Sequence, residues 1–190
     1  MKGAPRSALP GPGILVGVAR LARGRADGLA LFPSDVAGFT ASLAPFIALP
    51  LVGAVLVLLQ APGFGPLADL LSTWCALLAP PVLSWELARR WGREALWLRY
   101  ATAFNWCTWA VPVFALILLP LLGFAVMLGM PVAFAGVALP LGLAAYALWL
   151  HWFLARHGLQ LGGGRAALLV VAVNAGTAVL AFGPAMLRLL

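Results

Sequence analysis

Tyr100–Ala155 reads YATAFNWCTWAVPVFALILLPLLGFAVMLGMPVAFAGVALPLGLAAYALWLHWFLA, 56 consecutive residues without an Asp, Glu, Lys or Arg. As a single helix rising 1.5 Å per residue it would extend about 84 Å, against a hydrocarbon core of roughly 30 Å. The stretch must therefore cross a bilayer, turn and cross back.

Outward from this pair, hydrophobic stretches bounded by charge or by Gly/Pro clusters predict five spans: Val36–Gln60, Pro66–Ala88, Tyr100–Leu122, Met127–Ala155 and Ala166–Leu187. The predicted fold class is all-α: a polytopic helical membrane protein with five transmembrane helices in residues 34–190. A basic leader, residues 1–33, precedes them and carries an N-terminal amphipathic interfacial helix. The second span is the weakest, because it holds Asp69, Ser72, Thr73 and the Pro80–Pro81 pair, and whether it crosses fully is open. Pro112, Pro131 and Pro140 predict kinks in the third and fourth helices, which neighbouring groups in a membrane bundle tolerate.

Composition excludes a water-exposed globule. Hydrophobic residues make up 64% of the 190 and charged residues only 9%, where soluble domains carry about 25%. The net charge of +7 would point to nucleic acid in a soluble protein; here the basic residues read as topology signals and as partners of lipid headgroups. Eleven arginines against one lysine, with abundant Ala, Gly, Leu and Pro, suggest high-GC coding and a bacterial inner membrane. Cys75 and Cys107 lie in apolar stretches without CxxC spacing and read as small buried hydrophobes. The apolar stretch Ile14–Ala19 is interrupted by Arg20 and lacks a cleavage site, so the leader is not read as a signal peptide.

Orientation follows from counting positive charge. With the N-terminus inside, the cytoplasmic segments collect Lys2, Arg6, Arg20, Arg23, Arg25, Arg89, Arg90, Arg93, Arg99, Arg156 and Arg165, leaving Arg188 outside. An odd number of spans preserves this bias and puts the C-terminus in the periplasm. Trp85, Trp91, Trp97, Trp149 and Trp152 fall near the same interface, where amphipathic rings prefer to sit. In the leader, Ile14–Asp27 reads as the interfacial helix, with Ile14, Leu15, Val18, Leu21 and Ala22 on one face and Arg20, Arg23 and Asp27 on the other. Gly17, Gly24 and Gly28 weaken that helix and leave a disordered leader as the competing reading. Pro33-Ser34-Asp35 marks the next helix start, with Ser34 as N-cap.

The polar residues inside or at the edge of spans are Glu86, Asn105, His151 and Asn174. Counted from the flanking arginines, Asn105, His151 and Asn174 lie about 9, 7 and 13 Å deep and could meet at one level. Thr102, Asn105 and Thr108 share a helical face, as do Asn174 and Thr177. These residues are the candidates for a polar cavity open to the cytoplasm; ordinary interhelical hydrogen bonding is the favoured reading, since none is charged at mid-membrane. Glu86 stands four residues before Arg90, next to Arg89, and predicts a helical ion pair. Arg20, Arg23, Arg89, Arg90, Arg93 and Arg99 are the candidate contacts for anionic lipids.

No catalytic motif stands in the chain: there is no GxSxG elbow, no HExxH and no paired acidic motif for magnesium. His151 and His157 lie about 240° apart around one helix and cannot bracket a haem, and no cofactor is called for. Small residues at Ala125, Gly129 and Ala133, and at Ala172 and Gly176, predict close-packing faces on the fourth and fifth helices.

The layout of basic leader, five spans and external C-terminus, with Gly38-Phe39-Thr40-Ala41-Ser42-Leu43 opening the first span and Phe104-Asn105-Trp106 in the third, resembles Yip1-like and uncharacterised bacterial five-span inner-membrane proteins. The resemblance implies membrane trafficking or organisation and carries over no catalytic residue. The expected function is a non-enzymatic accessory or organising subunit in contact with lipids and other membrane proteins or its own copies. A small oligomeric transporter or channel is the alternative.

Overall fold

A computed structural model describes residues 12–60 and 64–187. Among them the chain is helical, with no strand. Helix α1 (Pro12–Leu21) and a 3-10 helix (Ala26–Leu31) precede α2 (Val36–Gln60), α3 (Phe64–Arg90), α4 (Glu94–Thr108), α5 (Ala110–Met127), α6 (Val132–Gly158) and α7 (Gly163–Leu187). Five helical segments are long and apolar enough to cross a membrane: Val36–Val57, Leu70–Arg90, Glu94–Met127, Val132–Gly158 and Gly163–Gly183. The second span, α3, runs 27 residues, about 40 Å, and has the length of a full crossing.

The third span is two helices. α4 and α5 meet at Trp109, whose N–H bonds to Trp106 C=O at 3.3 Å rather than one residue further back. Pro112 accounts for the break: it has no N–H for the carbonyl of Thr108, and its ring crowds that carbonyl. The expected kink at Pro131 is instead a helix start, because Pro131 is the N-cap residue of α6. The turn between the third and fourth spans also lies later than predicted. Gly123 stays helical, while Gly129 at φ 101° lets Met130 N–H return to Ala125 C=O at 3.0 Å, closing α5 with the turn that favours glycine. Gly129 thus lies in a turn, and the predicted Ala125–Gly129–Ala133 face does not form on one helix.

The core is concentrated at one end of the bundle. Leu21, Phe32, Ala88, Trp97, Tyr100, Phe153, Leu154, Leu159, Leu161 and Leu169 are buried there, where α1, the 3-10 helix, the α3–α4 turn and the α6–α7 turn converge. The side chains at the other end are largely exposed, as Leu116, Phe124, Met127 and Val132 are, which suits lipid. α3 packs along α7 most extensively. A Cβ on Gly176 would lie 2.6 Å from Leu83 Cδ1, so the predicted small-residue face of α7 is used within the chain.

The leader helix is shorter than expected. α1 ends at Leu21, closed by Gly24 at φ 75°. Of its predicted apolar face, Ile14, Val18, Leu21 and Ala22 pack into the core while Leu15 is exposed. Gly17 and Gly28, read above as weak points, are contact points: a Cβ on Gly28 would lie 2.8 Å from the Gly17 carbonyl. Tyr146 of α6 donates to the Ala22 carbonyl at 3.1 Å and ties the leader to the bundle. At the start of α2 the cap is Asp35 rather than Ser34, since Asp35 Oδ1 accepts from Gly38 N–H at 2.7 Å.

Candidate functional site

α4 is the hub of the polar contacts, and each reaches a different helix. Trp97 Nε1 donates to Ser84 of α3 at 3.1 Å, and Asn105 Nδ2 donates to Ser42 of α2 at 2.9 Å. Tyr100 Oη lies 3.1 Å from His151 Nε2 of α6, and His151 Nδ1 lies 3.2 Å from Asn174 Nδ2 of α7. Asn174 Nδ2 also donates to Val170 C=O at 2.7 Å, which fixes the amide with its nitrogen toward His151. Nδ1 is then the acceptor, so in the neutral ring the proton sits on Nε2 and is donated to Tyr100.

The predicted meeting of Asn105, His151 and Asn174 is therefore partly realised. His151 and Asn174 bond each other, but Asn105 faces α2, and Ser42 in turn donates to Phe39 C=O at 2.6 Å. Tyr100 and Ser42 were not singled out by the sequence. Tyr100 stood at a span boundary next to Arg99, and Ser42 was one hydroxyl in an apolar stretch. Of the expected threonine stripes, Thr102, Thr108 and Thr177 all turn back to carbonyls of their own helices. A cavity of about 130 Å³ lies beside the chain of bonds, with His151, Asn174, Thr108 and Cys107 in an otherwise apolar lining. Glu86 is not part of it: it accepts from Arg89 and Arg90, each at 2.8 Å, as the ion pair predicted. Cys107 is buried as expected, but Cys75 is exposed on α3. Trp97 is interior, against Phe39 and Trp85 with ring centroids 5.0 and 5.1 Å away.

A second pattern lay unread in the sequence. Phe114 of α5 stacks on Tyr146, Tyr146 on Trp149, Trp149 on Phe153, and Phe153 lies against His157 with centroids 4.5 Å apart. The spacings 146, 149, 153 and 157 put these rings on one face of α6, a signal visible in the sequence once the helix is read for aromatics rather than for hydropathy.

All nine described arginines lie at the packed end, together with Asp27, Asp35, Glu86 and Glu94, a net charge of +5. Lys2, Arg6 and Arg188 lie outside the described residues. Of the six arginines proposed to meet lipid, Arg20 bonds Asp27 at 3.1 Å, and Arg89 and Arg90 hold Glu86; Arg23, Arg93 and Arg99 have no carboxylate partner among the described residues. Arg25 also binds Asp27, at 2.9 Å, and its hydrogen bond, with the charge of Arg20, holds the Asp27 carboxyl below the ordinary carboxylate range. Arg156 lies over Trp152, 5.1 Å from the ring centroid.

No family model matches the chain, and no curated protein or solved structure matches it.

Proposed function

We propose that the protein is a non-enzymatic accessory or organising subunit of a bacterial inner membrane, with its packed basic end on the cytoplasmic side and its C-terminus in the periplasm. One observation carries this reading: the described positive charge is gathered on one packed, aromatic-rich end, while Trp97, Tyr100, Asn105, His151 and Asn174 are engaged in helix–helix bonds. A net positive surface at headgroup level attracts anionic lipid at about 1 kcal/mol per charge, and the positive-inside bias assigns that end to the cytoplasm. The layout shared with Yip1-like proteins supports an organising role. Purification from native membranes in a mild detergent, followed by mass spectrometry, is expected to retain anionic lipid or a stoichiometric partner; recovery of neither would remove the proposal.

The cavity beside His151 and Asn174 favours a small-solute path as the second reading. It requires self-association, because a space of about 130 Å³ does not traverse the bundle. Replacing His151 and Asn174 by Leu would abolish flux in liposomes on that reading, and unchanged flux would reject it.

A further inference from the structure

Where the 56 uncharged residues fold back, their two ends come together. Arg99 immediately precedes the stretch and His157 follows its end by two residues, and both line one groove of about 340 Å³ between the 3-10 helix, the start of α4 and the end of α6. Ser34, Asp27 and Gln160 complete the polar lining, and the rest of the wall is alanine, leucine and glycine. Asp27 is already paired with Arg20 and Arg25, so the acid does not neutralise Arg99, which has no carboxylate partner among the described residues. His157 is positioned by its contact with Phe153 at the end of the aromatic ladder.

Gln160 supplies an independent observation. α1, α3, α5 and α6 each end with the same pair of turns, in which one residue adopts positive φ and the next N–H returns five residues back. Three use glycine, Gly24, Gly92 and Gly129; α6 uses Gln160 at φ 52°, with Leu161 N–H bonded to Arg156 C=O at 3.0 Å. Glycine is the relaxed choice there, and Gln160 is the one non-glycine residue at positive φ among the described residues. This residue stands on the wall of the groove.

From this geometry we propose that the groove binds one anionic glycerophospholipid headgroup. Arg99 pairs with the phosphate, in the bidentate manner that guanidinium favours, while Ser34, His157 and Gln160 offer hydrogen bonds to the phosphate and the glycerol. The groove stands where charged surface gives way to uncharged helix, the level of a lipid phosphate, and its half-apolar wall suits a ligand with acyl chains attached. This site deepens the lipid-contact function proposed above and rests on it.

The test uses the full chain in mixed phosphatidylglycerol and phosphatidylcholine nanodiscs, released into native mass spectrometry. Wild type is expected to keep one phosphatidylglycerol molecule in preference to phosphatidylcholine. Arg99→Gln is expected to lower that species roughly fivefold, the effect of about one surface charge, with a smaller loss for Gln160→Gly, which relaxes the backbone and leaves the fold intact. Arg165→Gln, at the same end but outside the groove, is expected to leave it unchanged. Equal losses for Arg99→Gln and Arg165→Gln would overturn the site while leaving the general basic surface standing; no phosphatidylglycerol preference in wild type would overturn both. Binding of soluble glycerol phosphate that depends on Arg99, without retained lipid, would assign the groove to a water-soluble phosphate ester and overturn the lipid assignment.

Discussion

α4 and α5 are two halves of one membrane crossing, joined at Trp109, yet they do opposite work. Seven of the 15 residues of α4 are buried, against one of the 18 of α5. α4 carries Trp97, Tyr100 and Asn105, each bonded to a different helix, whereas α5 is an apolar rod that packs mainly on α6 and shows Leu116, Leu119 and Leu121 to the outside. A hydropathy reading treats both halves as one span. The distinction comes from polar side chains: in hydrocarbon they must find partners, so a helix rich in them is drawn to the centre of a bundle, and one without them can face lipid.

If that division is right, truncations in the two halves differ greatly. Tyr100→Ala removes a fully buried ring and its bond to His151, and is expected to cost about 3–5 kcal/mol, read as a large fall in thermal stability in detergent. Leu121→Ala in α5 is expected to change it by less than about 0.5 kcal/mol. Similar losses would erase the contrast between hub and rod.

A finer test separates the bond from the packing. A double-mutant cycle of Ser42→Ala and Asn105→Leu is expected to show a coupling of about 0.6 kcal/mol, the average for interhelical bonds in membranes, with Asn105→Leu alone the more harmful single change. Zero coupling would mean that α4 is central through shape alone.

The joint itself can be altered. Pro112→Ala restores an N–H for the Thr108 carbonyl and is expected to straighten α4 into α5, drawing α5 away from α6. Leu118 and Gly142 touch across that pair, a Cβ on Gly142 standing 3.0 Å from Leu118 Cδ2. With Cys75 and Cys107 replaced, disulfide formation between Leu118→Cys and Gly142→Cys is expected to fall about twofold to fivefold when Pro112→Ala is added, on the order of 0.5–1 kcal/mol of positional preference. An unchanged yield would locate the cause of the break elsewhere.

The smallest effect belongs to the leader, docked on α4. Asp27 has its pKa depressed, first by the Arg25 hydrogen bond, so its contribution to docking is present above the 3.8 of a free aspartate and lost as the pH falls through the lower, folded value. Hydrogen exchange in α1 is expected to be constant from about pH 5 to 8 after correction for intrinsic rates, and to quicken only in stronger acid. Quickening near neutrality would point to a different titrating group.

The five crossings, the one-sided arginines and the Glu86 ion pair were legible because each is local: a run of uncharged residues longer than the bilayer is thick, a bias along the chain, a spacing of four on one helix. The same holds for the aromatic face of α6, which was overlooked although its spacing is plain. His151 and Asn174 were correctly placed at neighbouring depths, since rise per residue sets depth. Depth says nothing of direction around the axis, so Asn105 was assigned to their group while its side chain turns to Ser42, 63 positions earlier. The helix break was signalled by Pro112, but Pro131 carries the same signal and begins a helix, because a proline is read as kink or start only by what precedes it.

Sequence alone settled that this chain is a helical membrane protein and where its charge lies, because water and hydrocarbon sort residues by composition before any two helices touch. The choice of α4 as hub, the union of Tyr100, His151 and Asn174, and the groove where Arg99 meets His157 were decided by tertiary packing. Helix rotation and pairing depend on contacts between residues far apart in the chain, and a periodic apolar sequence leaves those nearly degenerate until the few polar side chains find one another.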